Sequence, residues 1–345
     1  MPVRGTKKDA QRELTRRLAE IANGTAVNPS TLTIGEYLRN WLDTTTGLSP
    51  KTLERYRQLS ERQIIPHLGS VVLQQLRPAQ VDAWHKALLN TGLSARTVGH
   101  AHRVLHRGLE RAVGLEMVGR NVAHVVSPPR VKADEIAILT ADQMTETLDK
   151  LIGHPLHPIA ALALASGMRR GELCGLAWGD VDFDKLTVRV ERSLEETTAG
   201  LRLKQPKTRY GYRSIAVPKA TMDVLREHHR HQLEQRLVLG LGRPGADDLV
   251  FTLPDASPYP PDKLSRDWGN VVRYRKLPRI MFHGLRHSHA SALLAASVDI
   301  VTVSRRLWHS SPAVTLRIYA HVFTPGIDTI AAHAIDAVLG AKATE

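Results

Sequence analysis

The stretch ASGMRRGELCGLAWGDVDF, residues 165–183, sets a pair of arginines against a short apolar run. Arg169 and Arg170 follow Gly167 and Met168, and LCGLAW, residues 173–178, reads as core rather than as a site. Glu172 lies three residues after Arg169, where a carboxylate supports a neighbouring cation or caps a helix. Helical patterns flank this stretch at 141–152 and 157–165 and return at 219–239, 261–275 and 284–296. Between Asp180 and Pro218 the β-branched runs LTVRV, LRLKQ and RSIAVP are separated by turn-like segments, which predicts a small antiparallel sheet. The fold class expected is therefore mainly α with a small antiparallel β-sheet (α+β).

Working towards the N-terminus, SPPRVKADE, residues 127–135, combines prolines and charges and reads as a linker between domains. Residues 33–125 read as mostly helical. TIGEYLRNWL puts Ile34, Leu38, Trp41 and Leu42 at helical spacing. SPKTLERYRQLSERQIIPHLG opens with a serine cap and a proline at the first helical position, and stops at Gly69. SARTVGHAHRVLHRGLERAV carries Val98, Ala101, Leu105, Leu109 and Ala112 on one face. Residues 7–23 form a charged helical pattern with Leu14, Leu18 and Ile21 on one stripe, followed by the turn-rich GTAVNPST. There is no internal repeat and no low-complexity tract.

The 345 residues suffice for two compact domains, and with aromatics at only 5% the packing falls to Leu, Val and Ala. A formal net charge of +13 points to a polyanionic partner, nucleic acid being the usual one. Cys174 is the single cysteine, which excludes an intrachain disulfide and a thiolate metal cluster. No apolar run long enough to span a membrane occurs, and MPVRGTKKDAQRELTRRL lacks the apolar stretch of a secretory signal. The expected setting is a reducing cytoplasm.

Chemistry-bearing residues fall in separated segments: Arg169 in the opening stretch, Lys207 in QPKTRYGYRSIAVP, His283 and Arg286 in HGLRH, and His309 and Tyr319 in LWHSSPAVTLRIYAH. Singly each has an ordinary reading: Tyr319 as packing, the arginine pair as a solvated turn, His283 as a core histidine, Lys207 as a hairpin lysine, His309 as a turn cap. As a set they match what a tyrosine needs in order to cleave a phosphodiester. Two guanidinium forks can clamp the non-bridging oxygens. A phenol titrating near pH 10 needs a proton acceptor or cationic surroundings. A poor leaving oxygen needs an acid such as Lys207. The histidines of EHHRHQ, residues 227–232, have no closing ligand pair and read as a solvated helix face.

These segments, in the order arginine, lysine, HxxR, histidine, tyrosine, resemble the tyrosine recombinase (phage integrase) family from about residue 30 onward. SGMRRGEL is similar to the family's first box, which gives Arg169 the first arginine role with Arg170 as its neighbour. PKT resembles the catalytic lysine loop and gives Lys207, with Lys204 as the alternative. Trp308 stands where family members commonly have glycine before the second histidine. The resemblance implies a helical core-binding domain (30–126), a linker (127–136) and a catalytic domain (137–325), the two domains forming a C-shaped DNA clamp. It further implies an N-terminal helix and linker (1–29) similar to the end of an arm-binding domain, and a C-terminal helix and tail (326–345). The stripe Ile327, Ile330, Ala331, Ala334, Ile335 and Val338 in that tail fits packing on its own domain or docking onto the next subunit of a cyclic tetramer. Implied partners are double-stranded DNA attachment sites, a homotetramer on DNA and a recombination directionality factor, with no cofactor, no metal and no membrane. Lys51, Arg55, Arg57, Arg96, His100 and Arg103 are the DNA-contact candidates, most of them expected at phosphates.

Overall fold

The computed structural model describes residues 6–22, 27–131, 136–205, 212–309 and 311–319, together with residues 332, 333, 335, 336 and 339. Two compact units divide the chain, Met1–Asp134 and Glu135–Glu345.

The first unit is helical: α1 (Lys7–Ala22), α2 (Ile34–Thr44), α3 (Pro50–Leu59), α4 (Ile65–Leu68), α5 (Pro78–Asn90) and α6 (Ala95–Gly114). Thr33 and Glu36 close a capping box at the start of α2, and Ser49 caps α3 with Pro50 in its first turn. Pro66 has no N–H to donate, and the chain meets it with a widened turn over Ser60–Ile64, where Ile65 N–H reaches back to Ser60 O. The expected face of α6 is the packed one: Val98, Ala101, Leu105, Leu109 and Ala112 are all buried. A fully buried leucine such as Leu105 contributes about 2 kcal/mol by leaving water. Where α6 crosses α2, a β-carbon on Gly108 would lie 2.9 Å from Leu38 Cδ2. Leu14 and Leu18 of α1 are exposed, so these two residues of the expected stripe are not packed.

Inside this unit two buried histidines share a hydrogen bond, His85 Nε2 to His102 Nδ1 at 3.1 Å. One proton serves both rings, and a second would break the bond. Burial, then the neighbouring His85, His106 and Arg103, pushes His102 down to about 4. Its neutral form therefore stabilises the fold fully above the unfolded value near 6.5, and that contribution is lost as pH falls towards 4. Each histidine of this kind contributes a slope of about 1.4 kcal/mol per pH unit in that window. Denaturant melts of the full chain are expected to show stability rising with pH through this window, with His102→Gln losing about one proton's share of the slope. An unchanged slope in the variant would contradict the assignment.

The second unit begins with α7 (Ala141–Leu151), α8 (His157–Ser166) and α9 (Arg170–Cys174). Five short strands follow: β1 (Val181–Asp182), β2 (Thr187–Val190), β3 (Ser193–Thr197), β4 (Gly200–Lys204) and β5 (Arg213–Ala216). It continues through α10 (Lys219–Val238), α11 (Pro261–Tyr274), α12 (Phe282–Ala295), α13 (Ile300–Leu307) and α14 (Pro312–Tyr319). In place of one sheet there are, among the described residues, two, a three-stranded β1-β2-β5 and a β3-β4 hairpin, both antiparallel. The hairpin's first strand, SLEET, hid behind its charges, which the alternation of a half-exposed strand permits. α8 is apolar all round and buried, packed by α12, α10 and α7. LCGLAW lies in the same core, with Cys174 fully buried. His228 and His229 are not a solvated face: His228 bonds to Val250 O at 2.7 Å, and His229 stands edge-on to Trp178. No described helix is long and apolar enough to cross a membrane.

Candidate active site

Two helix ends build the site. α8 ends at Gly167, at φ +64°, where a β-carbon would lie 2.6 Å from His289 Cδ2 and 2.8 Å from Leu307 Cδ2. Glycine alone meets both the left-handed backbone and the close approach. α13 ends at Leu307, and Trp308 takes the left-handed conformation, φ 60° and ψ 51°. A non-glycine residue there costs about 1–2 kcal/mol, and here the tryptophan bears the strain.

A helix leaves its last carbonyls without intrahelical donors, and its C-terminal end attracts cations. Cationic side chains satisfy them here. Arg286 donates through Nη1 to Gly167 O and through Nη2 to Leu307 O. Arg169 Nη2 donates to the next carbonyl, Trp308 O, at 2.7 Å. Arg306 Nη2 donates to Ala165 O at 3.0 Å and Ala216 O at 2.9 Å, while its Nε donates to His289 Nε2 at 3.0 Å. His289 Nδ1 in turn donates to Leu164 O at 2.7 Å. Arg169 and Arg286, 117 positions apart in the sequence (286 − 169), thus hold consecutive carbonyls of one turn.

Glu172 supplies counter-charge. It accepts from the Arg169 backbone N–H at 2.8 Å and from Arg169 Nη1 at 2.9 Å, and from Arg213 Nη2 at 2.7 Å and Nη1 at 3.2 Å. Burial pushes this carboxyl up, and the hydrogen bonds and charges of Arg213 and Arg169 more than reverse it, leaving the pKa below the usual carboxylate value. Arg286 is only 4% exposed, and burial, with Arg169 next, pushes its guanidinium down to about 10. Two guanidinium groups thus hold one carboxylate with a third, Arg286, beside Arg169, and each guanidinium has five N–H donors. The excess positive charge and the unused donors favour an anion in their midst.

α12 presents the histidines. It starts at Phe282, so His283 and Arg286 lie three apart on one helix, earlier than the start at residue 284 that the sequence suggests. The Met281 N-cap has no side-chain cap bond, which left that boundary unmarked. The His283 and His287 rings meet edge to face with centroids 4.9 Å apart. His287 Nδ1 lies 2.7 Å from the Tyr319 hydroxyl, in hydrogen-bond contact. Tyr319 ends α14, which opens at Pro312, and it packs with Leu307, Val303, Ala290 and Leu294. Burial raises its phenol to about 12, against the opposing pull of Arg286. His309 Nδ1 shares a 2.7 Å hydrogen bond with Thr315 Oγ1. Burial, then Arg286, Arg169 and His283, pushes His309 down to about 4.

Of the residues expected at the site, Arg169, Glu172, His283, Arg286, His309 and Tyr319 come together. Lys207 lies in 206–211, outside the described residues, as does most of the tail stripe 326–339. Lys204 pairs with Glu195 at 3.4 Å across the β3-β4 hairpin, and Arg170 is held by Asp262 at 2.8 Å. His287, Arg213 and Arg306 were missed. In the helical unit the exposed Arg55 of α3 and Arg96 and Arg103 of α6 all bear on His100, whose pKa burial and then these arginines lower. Arg57 turns away to Asp43 at 2.7 Å, and Lys51 lies 3.9 Å from Glu54.

Comparison with known proteins agrees with this architecture. Residues 133–324 match the phage integrase family, and residues 33–89 match the phage integrase N-terminal SAM-like domain. The chain belongs to the phage integrase family of tyrosine recombinases. It is 30% identical over 337 residues to an integrase of Streptomyces ambofaciens, covering 94% of this chain and 85% of that relative. A XerC-like tyrosine recombinase of Caldanaerobacter subterraneus subsp. tengcongensis is 28% identical over 337 residues, covering 92% and 86%. The fold is that of the Tn1549 transposon integrase solved with a circular intermediate DNA, with a TM-score of 0.73 at 20% identity over 88% of this chain and 98% of that one.

Proposed function

We propose that this chain is the integrase of a temperate phage or integrative element and that it cuts and rejoins DNA through Tyr319. The phenolic oxygen attacks a backbone phosphorus, forms a 3′-phosphotyrosine and releases a 5′-hydroxyl. Arg169 and Arg286 clamp the non-bridging oxygens, with His283 and His309 beside them, and charge building on those oxygens meets preorganised donors. Lys207 protonates the leaving oxygen. Glu172 and Arg213 hold Arg169 in place. A partner strand's 5′-hydroxyl then reverses the attack, so the phosphodiester energy is conserved and neither ATP nor a divalent metal is needed. Two such exchanges through a Holliday junction, within a homotetramer on attachment-site DNA, complete recombination. A directionality factor is proposed as a further partner, and the bacterial cytoplasm as the setting. Arg55, Arg96, His100 and Arg103 are assigned to DNA phosphates.

The observation that carries this reading is the gripping of the consecutive carbonyls of Leu307 and Trp308, where α13 ends, by Arg286 and Arg169, next to a helix whose His287 holds the Tyr319 hydroxyl. A catalytically silent DNA-binding descendant would have no reason to keep a desolvated cationic cluster around a phenol. The test uses a nicked duplex carrying the direct repeat that flanks the element. Wild-type protein is expected to form an SDS-stable covalent adduct with a free 5′-hydroxyl, in EDTA as in magnesium. A protein that binds this duplex and never becomes attached to it would overturn the proposal.

A further inference from the structure

His287 has no assigned part, yet it is the side chain in contact with the Tyr319 oxygen. Its Nδ1 lies 2.7 Å from that hydroxyl, and its ring lies against His283 on the other side. The phenol is the donor in this bond if Nδ1 is unprotonated, and it then points its proton at a ring nitrogen positioned to take it. Tyr319 is 1% exposed, so bulk water is a poor competitor for that proton.

We propose that His287 is a catalytic residue, the general base that accepts the Tyr319 proton. The proposal rests on the reading of Tyr319 as nucleophile. In the cleavage step the phenolic proton moves to His287 Nδ1 as the Tyr319 oxygen bonds to phosphorus. The bond from phosphorus to the 5′-oxygen breaks, and that oxygen takes a proton from the acid assigned to Lys207. The diester stays a monoanion throughout. In rejoining, the protonated His287 returns its proton to the departing phenol.

The groups around His287 bear on this transfer. Facing His287 are His283 and Arg286 from its own helix, His309 after α13 and Tyr319 from α14. Without DNA, burial and the cationic neighbours hold His287 down to about 4, so it is unprotonated and able to accept, while a new positive charge there is opposed by Arg286. A phosphate between Arg169 and Arg286 cancels part of that opposition, and the same anion is the electrophile.

The experiment measures single-turnover adduct formation on the nicked duplex and on the same duplex with sulfur in place of the bridging 5′-oxygen, a leaving group that needs no acid. His287→Ala and His287→Gln are both expected to be slower than wild type by about 100-fold or more near neutral pH on both substrates. The loss should narrow as pH rises, and added imidazole should partly restore His287→Ala. Lys207→Ala should recover on the sulfur substrate, as a leaving-group defect must. A His287→Ala rate within about threefold of wild type overturns the proposal, since a positioned base contributes far more. Full recovery by His287→Gln would mean that orientation suffices, and recovery on the sulfur substrate would place His287 at the leaving group; either overturns it. These outcomes, with the wild-type adduct intact, leave Tyr319 as the nucleophile. Absence of the wild-type adduct removes both readings.

Discussion

Tyr319→Phe is expected to bind the nicked duplex as wild type does and to form no covalent adduct. The substitution removes one oxygen, whose hydrogen bond runs to His287. The ring stays packed against Leu307, Val303, Ala290 and Leu294, so the fold loses only about 1 kcal/mol for the missing bond. Without the nucleophile the chemical step should fall by about 10⁴-fold or more, the scale seen when an enzyme loses its attacking atom. Denaturing gels on the nicked duplex read the adduct and a filter or mobility assay reads binding. An adduct from Tyr319→Phe at a rate near wild type would mean that another residue attacks.

Arg286→Ala is the second large effect. The guanidinium is buried, donates to Gly167 O and Leu307 O, and lies beside Arg169. Its loss removes a preorganised donor at the phosphate, worth about 10²–10³ in rate for a single donor of this type. It also strands two carbonyls, at about 1–3 kcal/mol each. Arg286→Lys restores a charge there but cannot fork between two carbonyls and a phosphate. Cleavage should slow by at least about 10²-fold in both variants, with DNA affinity changed only a few-fold because phosphate contacts spread over many residues. Equal losses of affinity and cleavage would mean that Arg286 only holds DNA.

Much of this was legible in the sequence, for identifiable reasons. The 3.6-residue spacing of Val98, Ala101, Leu105, Leu109 and Ala112 marks a buried face, and that face is buried. The serine-proline start at Ser49 and Pro50 likewise marks a helix entry that the backbone follows. What stayed hidden depends on residues distant in the chain. Arg213 meets Glu172 across 41 positions, and Arg306 meets Ala216 across 90. His287 is visible as the last letter of HGLRH, but its contact with Tyr319 exists only because α14 folds back on α12. Arg57, a phosphate-contact candidate in the sequence, pairs at the surface with Asp43 on α2, a contact 14 positions away (57 − 43) that the sequence does not announce. Trp308 is the converse case: the sequence marks it as unusual, and the left-handed backbone explains what the position demands.

Cations far apart in the chain must converge on one phosphate within reach of one phenol, and a structure of the Tyr319→Phe variant bound to its uncut duplex would show whether they do. The Arg169 and Arg286 guanidinium groups should bond to the same phosphate. The edge of the substituted aromatic ring should lie about 3–4 Å from that phosphate, on the side opposite the 5′-oxygen. Guanidinium groups on different phosphates, or an aromatic ring turned away with its helix unable to swing back, would contradict the convergence.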